Sequence, residues 1–330
     1  MMVVAVATAL SALMSQPTVV LAPHPTPIDR LARLEAALGP GCPRVFMKRD
    51  DLLSFGAGGN KVRKMQAVAA EAMAGGADTL ITCGGVQSNH ARVTAAAGAA
   101  LGWRVELVLN GAPPPVPTAN TRLDRVFGAT LHFVADRASR APMMDELASR
   151  LRREGRRPYV VPLGASTPTG ALGFARGLAE VASEGLRPDV IVHSTSSGGT
   201  QAGMIAGCAL LGLKPRILGV SADDPAAALA ATVSTLLAGM ADRLGARPET
   251  LGSDHPIEID DTFVGEGYGV PTPASTEALE LVARREGILL DPVYTAKAMA
   301  GLIGRIRRGE FSYDQTILFW HTGGQIANFI

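Results

Sequence analysis

Short runs of apolar, β-branched residues alternate along the chain with longer alanine-rich stretches. The short runs predict β-strands and the longer stretches predict helices. The predicted strands are Val45–Lys48, Thr79–Thr82, Val105–Leu109, Thr130–Val134, Tyr159–Val161, Val190–His193, Ile217–Val220 and Ile317–Trp320. The predicted helices are Lys61–Ala74, Asn89–Leu101, Pro142–Arg153, Ala171–Glu184, Gln201–Leu211, Pro225–Gly245, Ser275–Glu286 and Thr295–Arg308.

Several predicted strands are almost wholly apolar, which is typical of strands whose two faces are both covered. Together with the alternation of strands and helices, this predicts an α/β protein with mainly parallel sheets and right-handed crossovers. An active site is then expected at the carboxyl ends of the strands, where the loops enter the helices.

Composition and charge give no sign of a charged macromolecular partner. The 330 residues are 47% hydrophobic and 18% charged, with a formal net charge of +1. We therefore expect neither a nucleic acid nor a membrane partner. The three cysteines are far apart and the histidines lack metal-ligand spacing, so no metal site or disulfide framework is expected. Few, unpaired cysteines are typical of a reducing compartment and favour a cytoplasmic location.

The apolar stretch at the N-terminus matches neither a secretory signal nor a membrane-spanning helix. No lysine or arginine precedes Arg30, whereas a signal peptide begins with a positive region. Polar residues such as Ser11 and Gln16 interrupt the apolar run, which a spanning helix would need to continue. We interpret residues 1–15 as an N-terminal extension ahead of the domain, and a cleaved export signal is the alternative.

A loop rich in glycine and hydroxyl groups follows the predicted strand Val190–His193. It contains Ser197, Gly198, Gly199 and Thr200 and then opens a helix. Glycines let the backbone approach an anion closely, and the free N–H groups of a helix start point at it. The loop therefore predicts a phosphate site, although it matches neither a Walker loop nor GxGxxG. A plain glycine-rich turn is the alternative.

Two further loops place chemically useful side chains at predicted helix starts. Lys61 directly follows two glycines and an asparagine, where the helix dipole disfavours a cation. That position makes sense if the amine is used neutral or as an imine, and a surface lysine is the alternative. Ser88, Asn89 and His90 open another helix and suit a substrate carboxylate, with simple capping by Ser88 as the alternative.

Six motifs occur in a fixed order: GGNKVRK, QSNH, SSGGTQAG, GEGYGVP, LLDPVYTAKAMAG and FWHTGG. Over Pro25 to Ile330 the chain resembles the family of D-cysteine desulfhydrases and 1-aminocyclopropane-1-carboxylate (ACC) deaminases. These are pyridoxal-phosphate (PLP) enzymes of fold type II, the tryptophan-synthase-β-like fold. The resemblance implies a homodimer and two mainly parallel α/β domains with the cofactor in the cleft. The smaller domain, 57–161, would be inserted in a larger one of residues 16–56 and 162–330.

The resemblance also implies which residues hold the cofactor. Lys61 would hold pyridoxal 5'-phosphate as a Schiff base, Asn89 would contact its phenolic oxygen and Thr322 would face its pyridine nitrogen. The phosphate would be bound by Ser197, Gly198, Gly199 and Thr200. A lysine amine shifts its pKa readily when it is desolvated, so Lys61 could also move protons.

The implied substrate is a small amino acid. Its carboxylate would bind Ser88, with Asn89 and His90 beside it, and Ser88 would count among the catalytic residues. Tyr268 and Tyr294 would line the substrate side and take part in proton transfer, since a tyrosine can act as an acid or a base.

Two positions discriminate between the branches of the family. ACC deaminases of this group have a glutamate directly after the second tyrosine and a leucine in the last motif, where this chain has Thr295 and Thr322. A neutral hydroxyl beside the pyridine nitrogen makes a weaker electron sink than a carboxylate does. It suffices to expel a good leaving group, whereas opening a cyclopropane needs more. The pair therefore favours a desulfhydrase, with Thr295 beside the substrate.

The predicted reaction is the conversion of D-cysteine to pyruvate, ammonia and hydrogen sulfide. One alternative is an L-cysteate sulfo-lyase, whose substrate sulfonate would need a basic partner such as His90 or Arg92. Another is an ACC deaminase. A non-catalytic α/β protein that binds a phosphate or nucleotide is an alternative of a different class. Trp320, which borders the expected pocket, is interpreted as core packing.

Overall fold

The computed structural model describes residues 2–252 and 254–330 of the chain. Helices and strands alternate over most of the described sequence. The α-helices are α1 (Met2–Ser15), α2 (Ala32–Leu38), α3 (Lys61–Ala74), α4 (Asn89–Leu101), α5 (Ala119–Val126), α6 (Arg140–Arg153), α7 (Pro168–Ser183), α8 (Gly199–Leu211), α9 (Ala226–Arg243), α10 (Pro248–Gly252), α11 (Pro273–Glu286) and α12 (Thr295–Arg307). The strands are β1 (Ile28–Arg30), β2 (Arg44–Arg49), β3 (Thr79–Gly85), β4 (Arg104–Asn110), β5 (Thr130–Val134), β6 (Pro158–Val161), β7 (Val190–Thr195), β8 (Arg216–Ser221), β9 (Glu258–Asp260) and β10 (Thr316–His321).

The larger sheet has six strands in the order β1-β2-β10-β7-β8-β9. All neighbours are parallel except β1 and β2. The register pairs Trp320 of β10 with His193 of β7, so the carboxyl ends of these strands lie side by side. From β7 the chain continues to β8 on one side, whereas β10 and β2 lie on the other. Such a reversal of strand order opens a crevice in which parallel sheets bind ligands.

The smaller sheet has four parallel strands in the order β5-β4-β3-β6. All four fall between residues 79 and 161, within the segment predicted to be inserted in the larger unit. The predicted α/β class with mainly parallel sheets is confirmed. The domain bounds of 57–161 against 16–56 and 162–330 stay a prediction, with which the grouping of the strands agrees.

Helices cover both faces of each sheet. One face of the larger sheet packs against α1 and α7 to α10, and the other packs against α2, α11 and α12. The smaller sheet lies between α3 and α4 on one face and α6 on the other. Successive side chains of a strand point to opposite faces, so Leu318 and Ile317 of β10 belong to different core clusters. This double coverage is why the strands are apolar throughout.

The N-terminal helix α1 differs from the sequence interpretation. Ala9 and Leu13 are each 1% exposed and belong to the core cluster of α7 and α8. Arg176 of α7 also donates a hydrogen bond of 3.0 Å to the carbonyl oxygen of Leu13. The described part of residues 1–15 is therefore a helix of this core and not an extension ahead of it. No helix in the described part of the chain is both long and apolar enough to cross a membrane.

The sequence prediction lacks helices α1, α2, α5 and α10 and strands β1 and β9. Strands β1 and β9 have three residues each, which is too short for an alternating pattern. Helix α5 buries mainly polar side chains, namely Asn120, Thr121 and Asp124. It therefore lacks the apolar stripe by which a helix is recognised in a sequence.

Candidate active site

A cavity opens between the two sheets, at the carboxyl ends of strands from both. Its volume is about 890 Å³, counting the open mouth, which is within the range of small-molecule sites. Ten of the predicted site residues line it: Lys61, Ser88, Asn89, His90, Ser197, Gly198, Thr200, Tyr268, Tyr294 and Thr322. Residues that are far apart in the sequence thus meet around one space. Gly199 and Thr295 do not line the cavity.

The turn from β7 into α8 forms the predicted phosphate site. Gly198 has φ +73°, a left-handed conformation that glycine adopts without strain, and α8 begins at Gly199. The first N–H groups of the helix lack intrahelical acceptors and are therefore available to an anion in the turn. Ser197 and Thr200 line the cavity, and Asn60 Nδ2 donates a hydrogen bond of 3.3 Å to Thr200 Oγ1. The turn therefore presents N–H and hydroxyl groups, as an anion site requires.

A second lysine, Lys64, lies beside this turn and is missing from the predicted site. Its side chain is 0% exposed, and its Nζ donates a hydrogen bond of 3.0 Å to Ser166 Oγ. Ser166 Oγ donates in turn to Ser197 Oγ at 2.7 Å. A Cβ on Gly199 would lie only 2.8 Å from Lys64 Nζ. The absence of a side chain at Gly199 is therefore what lets the amine approach the phosphate site.

Lys64 has only neutral hydrogen-bond partners within the described residues, namely Ser166 and the carbonyl oxygen of Gly164. Burial, and then the nearby Lys61, lower the pKa of Lys64 well below its ordinary value. A buried ammonium without a counter-ion is costly, and a phosphate in the adjacent turn would supply one. The sequence signal for Lys64 was its position three residues after Lys61, because residues three apart lie on the same face of a helix.

Lys61 begins helix α3 and lines the cavity. Burial lowers its pKa to about 8. At pH 8 the amine is therefore neutral in about half of the molecules, whereas an ordinary lysine is neutral in under about 1%. A neutral amine is the form that attacks a carbonyl carbon or accepts a proton. The environment of Lys61 is thus compatible with the role that the sequence predicts for it.

The lowered pKa of Lys61 can be measured in the cofactor-free protein. Because only the neutral amine reacts with an acylating reagent, we expect the labelling rate of Lys61 to rise with pH and to reach half its maximum near pH 8. Peptide mass spectrometry would follow the labelling, with Lys214, whose side chain is 76% exposed, as internal reference. A half-maximum near pH 10.5, the value of an ordinary lysine, would contradict this expectation.

A buried ion network fixes the start of α3 against the larger sheet. Arg63 is 2% exposed and donates hydrogen bonds to Asp50 Oδ2 at 2.7 Å and to Glu180 Oε1 at 2.6 Å. Trp320 Nε1 donates to the same Asp50 oxygen at 2.7 Å. Trp320 is fully buried, in agreement with its interpretation as core packing. Because charged hydrogen bonds have strict geometry, this network holds Lys61 at a fixed place in the cavity.

Tyr268 and Tyr294 line the cavity together. Their hydroxyl groups are hydrogen-bonded to each other, and their rings meet edge to face with centroids 5.8 Å apart. Burial raises the pKa of Tyr268 and raises that of Tyr294 well above its ordinary value. Both phenols are therefore protonated at neutral pH, so the pair can donate a proton but is a poor base.

The start of α4 lies on the cavity wall, where the sequence predicts the substrate carboxylate. Ser88 Oγ accepts a hydrogen bond of 3.2 Å from Ala91 N, so Ser88 caps the helix, and its hydroxyl proton is left for another acceptor. The N–H groups of Asn89 and His90 lie in the first turn, which lacks intrahelical acceptors. The His90 imidazole instead points into the smaller sheet, where its Nε2 lies 2.7 Å from Thr82 Oγ1.

Neither residue named as a basic partner for a sulfonate can act as one. Burial, followed by the effects of Lys61 and Lys64, lowers the pKa of His90 well below its ordinary value, so the imidazole is neutral. Arg92 does not line the cavity. Its guanidinium donates hydrogen bonds to two carbonyl oxygens of the loop before α3, those of Gly56 and Gly58.

The structure also corrects the prediction that Thr295 contacts the substrate. Its side chain is 0% exposed, and both its hydroxyl and its N–H donate to Asp291 Oδ1 at 2.7 Å. Thr295 begins α12, so these bonds close the first turn of that helix. Its influence on the site is indirect, because Tyr294 N also donates to the Asp291 carboxylate, at 2.9 Å.

The mouth of the cavity carries charged residues that no sequence motif indicates. Arg137, after β5, forms an ion pair of 2.6 Å with Asp223, after β8, and its guanidinium carbon lies 5.6 Å from the centroid of the Tyr268 ring. Arg140 lines the same mouth and donates a hydrogen bond of 2.8 Å to Asn110 Oδ1. Arg137 and Arg140 follow β5 of the smaller sheet, whereas Asp223 follows β8 of the larger sheet, so only the folded chain brings them together.

Thr322 lines the cavity directly after β10 of the larger sheet. Its Oγ1 lies 3.0 Å from Ser194 Oγ, at the end of β7, and both residues line the cavity. This part of the wall is therefore an uncharged pair of hydroxyl groups.

These features fit the binding of pyridoxal phosphate. The turn at Gly198 suits the phosphate, as does the amine of Lys64, which has only neutral hydrogen-bond partners among the described residues. The neutral form of Lys61 suits the aldehyde. No group of three His, Cys, Asp or Glu side chains in the described part of the chain could hold a metal ion. The fold and the site are those of an α/β enzyme that uses a phosphate-bearing aldehyde cofactor.

Comparisons with known proteins agree with this class. The profile of the family described as pyridoxal-phosphate dependent enzyme matches residues 19–323. The D-cysteine desulfhydrase of Klebsiella pneumoniae (strain 342) is 38% identical over 313 residues, which cover 92% of this chain and 93% of that protein. The solved structure of an ACC deaminase homologue has a TM-score of 0.89 at 36% identity, covering 98% of this chain and 96% of its own. Threonine deaminase isoform 2 from Solanum lycopersicum shares the fold, with a TM-score of 0.67 at 17% identity, covering 97% and 84% of the two chains.

The chain belongs to the fold-type-II pyridoxal-phosphate-dependent enzymes, on the branch of the D-cysteine desulfhydrases and ACC deaminases. The predicted family, fold type and cofactor are thereby confirmed. The roles of the individual site residues stay predictions.

Proposed function

We propose that the chain removes hydrogen sulfide from D-cysteine by β-elimination. With one water molecule, D-cysteine would give pyruvate, ammonia and hydrogen sulfide. The observation that carries the proposal is the uncharged hydroxyl pair of Thr322 and Ser194 in the cavity wall, in the position predicted for the pyridine nitrogen. Such a wall suits the expulsion of a good leaving group and not the opening of a cyclopropane. The similarity to the K. pneumoniae desulfhydrase supports the same choice.

The first requirement of the reaction is a base for the α-proton of the substrate. Bound pyridoxal phosphate supplies the electron sink for the negative charge that remains on the α-carbon. Lys61 Nζ takes the proton, since a pKa of about 8 makes its neutral form available. Tyr268 and Tyr294 have raised pKa values and compete poorly as bases. The sequence leaves open whether Lys61 or a tyrosine removes the α-proton, and we therefore propose Lys61.

The second requirement is an acid for the departing sulfur. As the C–S bond breaks, its electron pair stays on sulfur, and a phenol of the tyrosine pair supplies the proton. The Tyr268–Tyr294 hydrogen bond then stabilises the phenolate that is formed, because the second hydroxyl donates to it. A pair of linked phenols can thus deliver a proton that a single buried tyrosine would release at greater cost.

The third requirement is a fixed orientation of the substrate. The proposed anchor for the substrate carboxylate is the start of α4, where Ser88 and Asn89 line the cavity and can donate through a hydroxyl and a backbone N–H. Helix starts favour negative charge, and Arg140, which lines the same cavity, adds positive charge. An anchored carboxylate would leave the β-substituent free to point toward the tyrosine pair.

A panel of substrates tests the proposal. Purified holoenzyme would be incubated with D-cysteine, L-cysteine, L-cysteate, β-chloro-D-alanine and ACC, and the release of pyruvate or 2-oxobutyrate would be measured. We expect pyruvate and sulfide from D-cysteine at the highest kcat/KM among the natural amino acids. The Lys61→Ala variant serves as the blank for uncatalysed release. Dominant formation of 2-oxobutyrate from ACC would refute the argument from Thr322.

Elimination of sulfite from L-cysteate is the second candidate function. It is favoured by Arg137 and Arg140, two cations that line the mouth of the cavity and replace His90 and Arg92 as possible partners of a sulfonate. Dominant release of sulfite in the same panel would establish this candidate in place of the first. The assignment of Lys61 and the tyrosine pair would stand, because both reactions remove an α-proton and expel a β-substituent.

The resemblance further implies a homodimer, and the cysteine content favours a cytoplasmic location. Both stay predictions.

A further inference from the structure

We infer that Asn120, a buried residue of α5, acts as a positioning residue by fixing the orientation of the Asn89 side-chain amide toward the cofactor. This inference rests on the proposed role of Asn89 as a contact of the cofactor's phenolic oxygen. Asn120 lies in a helix that carries no recognised motif, and its side chain does not line the cavity.

The Asn89 amide has a donor end and an acceptor end, and only one of them is used by the protein. Its Oδ1 accepts hydrogen bonds from Asn120 Nδ2 at 3.0 Å and from Arg92 Nη2 at 3.4 Å. No described residue accepts a hydrogen bond from its Nδ2, which would lie 2.9 Å from a Cβ on Gly324. Gly324 therefore leaves the space in which this NH₂ group sits beside the cavity.

Asn120 cannot itself be turned round. Its Nδ2 also donates a hydrogen bond of 2.8 Å to the backbone carbonyl oxygen of Gln87. A carbonyl oxygen only accepts, so the NH₂ end of Asn120 must face Gln87 and Asn89. The Asn120 backbone N–H donates to Gln87 Oε1 at 2.9 Å, and the side chain is 0% exposed. Asn120 is thus held by both the main chain and the side chain of Gln87.

The chain of constraints runs from a backbone carbonyl to the cavity. Gln87 O fixes the Asn120 amide, Asn120 Nδ2 fixes the Asn89 oxygen, and the Asn89 NH₂ is left as the donor. A donor at this place stabilises an ionised oxygen on the cofactor ring. If the Asn89 amide were flipped, its Oδ1 would face that oxygen and repel it. Arg92 adds to this preference, because a guanidinium only donates.

The backbone beside Asn120 is strained, which supports a positioning role for this residue. Ala119 has φ +41°, in the left-handed region that is unfavourable for residues with a Cβ. Strain of this kind persists only where the surrounding contacts enforce it. Here it allows Asn120 N to reach Gln87 Oε1 at the start of α5.

Asn120→Asp is the sharpest test, because it keeps the shape of the side chain and replaces the donor with an acceptor. We expect the dissociation constant of pyridoxal phosphate to rise about tenfold through the loss of these hydrogen bonds, with a shift in the visible absorption of the bound cofactor. Both are measured by titrating the cofactor into cofactor-free protein, without substrate. Asn120→Ser, which is too short to reach Asn89, should have a similar effect and covers the case in which the aspartate variant does not fold.

A double-mutant cycle with Asn89→Ala separates positioning from a structural role. If Asn120 acts through Asn89, its substitution should change the dissociation constant less than about twofold when Asn89 is already alanine. An equal effect in both backgrounds, or an unchanged affinity and spectrum in Asn120→Asp, would overturn the inference. So would an Asn89→Ala variant with normal affinity. The proposed reaction on D-cysteine can fail without affecting any of these readouts, because no substrate is present.

Discussion

Replacement of Lys61 by alanine is expected to abolish covalent attachment of the cofactor and to lower kcat/KM by about 10⁴-fold or more, as for removal of a central catalytic group in other enzymes. The reason is that Lys61 provides two functions at one atom. It is the amine in the cavity whose pKa of about 8 allows attack on an aldehyde, and it is the proposed base. The holoenzyme should be yellow and should bleach on reduction with borohydride, with the added mass on the peptide that contains Lys61.

Lys64 is the alternative lysine for covalent attachment of the cofactor. It is three residues away from Lys61 and lies beside the predicted phosphate site, with its Nζ 3.0 Å from Ser166 Oγ. If Lys61→Ala still bound the chromophore covalently after reduction, mass spectrometry would show whether Lys64 carried it, and the assignment of Lys61 would be wrong. Lys214→Ala is the matched control, since that side chain is 76% exposed and its loss should leave colour and turnover unchanged.

Replacement of Lys64 by methionine is expected to have opposite effects on cofactor affinity and on stability. The dissociation constant of pyridoxal phosphate should rise about 100-fold, since a hydrogen bond to a charged group contributes about 1.5–3 kcal/mol. Binding of pyridoxal, which lacks the phosphate, should change far less. The cofactor-free protein, in contrast, should keep its Tm or gain in Tm, because methionine removes a buried amine that has only neutral partners.

Lys48 offers a control of the same residue type and the same burial. Its side chain is also 0% exposed, but its Nζ lies 3.2 Å from carboxylate oxygens of Glu180 and Glu184. Lys48→Met would remove the cation that lies between these two carboxylates, so it should lower Tm. It should not change the preference for pyridoxal phosphate over pyridoxal. Equal loss of that preference in the Lys48 and Lys64 variants would contradict the assignment of Lys64 to the phosphate.

The sequence predicted the elements best where pattern and boundary signals agree. Helices α3 and α4 begin and end where they were predicted, because a glycine follows each of them and an alanine-rich run fills it. The polar helix α5 and the three-residue strands β1 and β9 were missed, since each depends on contacts with distant parts of the chain. Helix α1 was misinterpreted for the same reason, as Leu13 finds its partners on α7 and α8.

The site was predicted where a motif carries the residue and missed where it does not. Tyr268, Tyr294 and Thr322 are far apart in the sequence, yet they line one cavity. Thr295, next to Tyr294, was placed beside the substrate, but the Asp291 carboxylate binds its hydroxyl in the first turn of α12. Adjacency in the sequence could not show which way that side chain points, because neighbouring residues at a helix start project in different directions.

The sequence by itself determined the fold class, the family, the cofactor and ten residues of the cavity, because these depend on periodicity and on motifs that are local in the chain. The tertiary structure decided what depends on distance and burial. It showed that Lys64 has only neutral partners beside the predicted phosphate site, that His90 is neutral, and that Arg137 and Arg140 bring charge to the mouth. It also decided the setting of Lys61, whose pKa is lowered to about 8 only because the folded chain removes its amine from water.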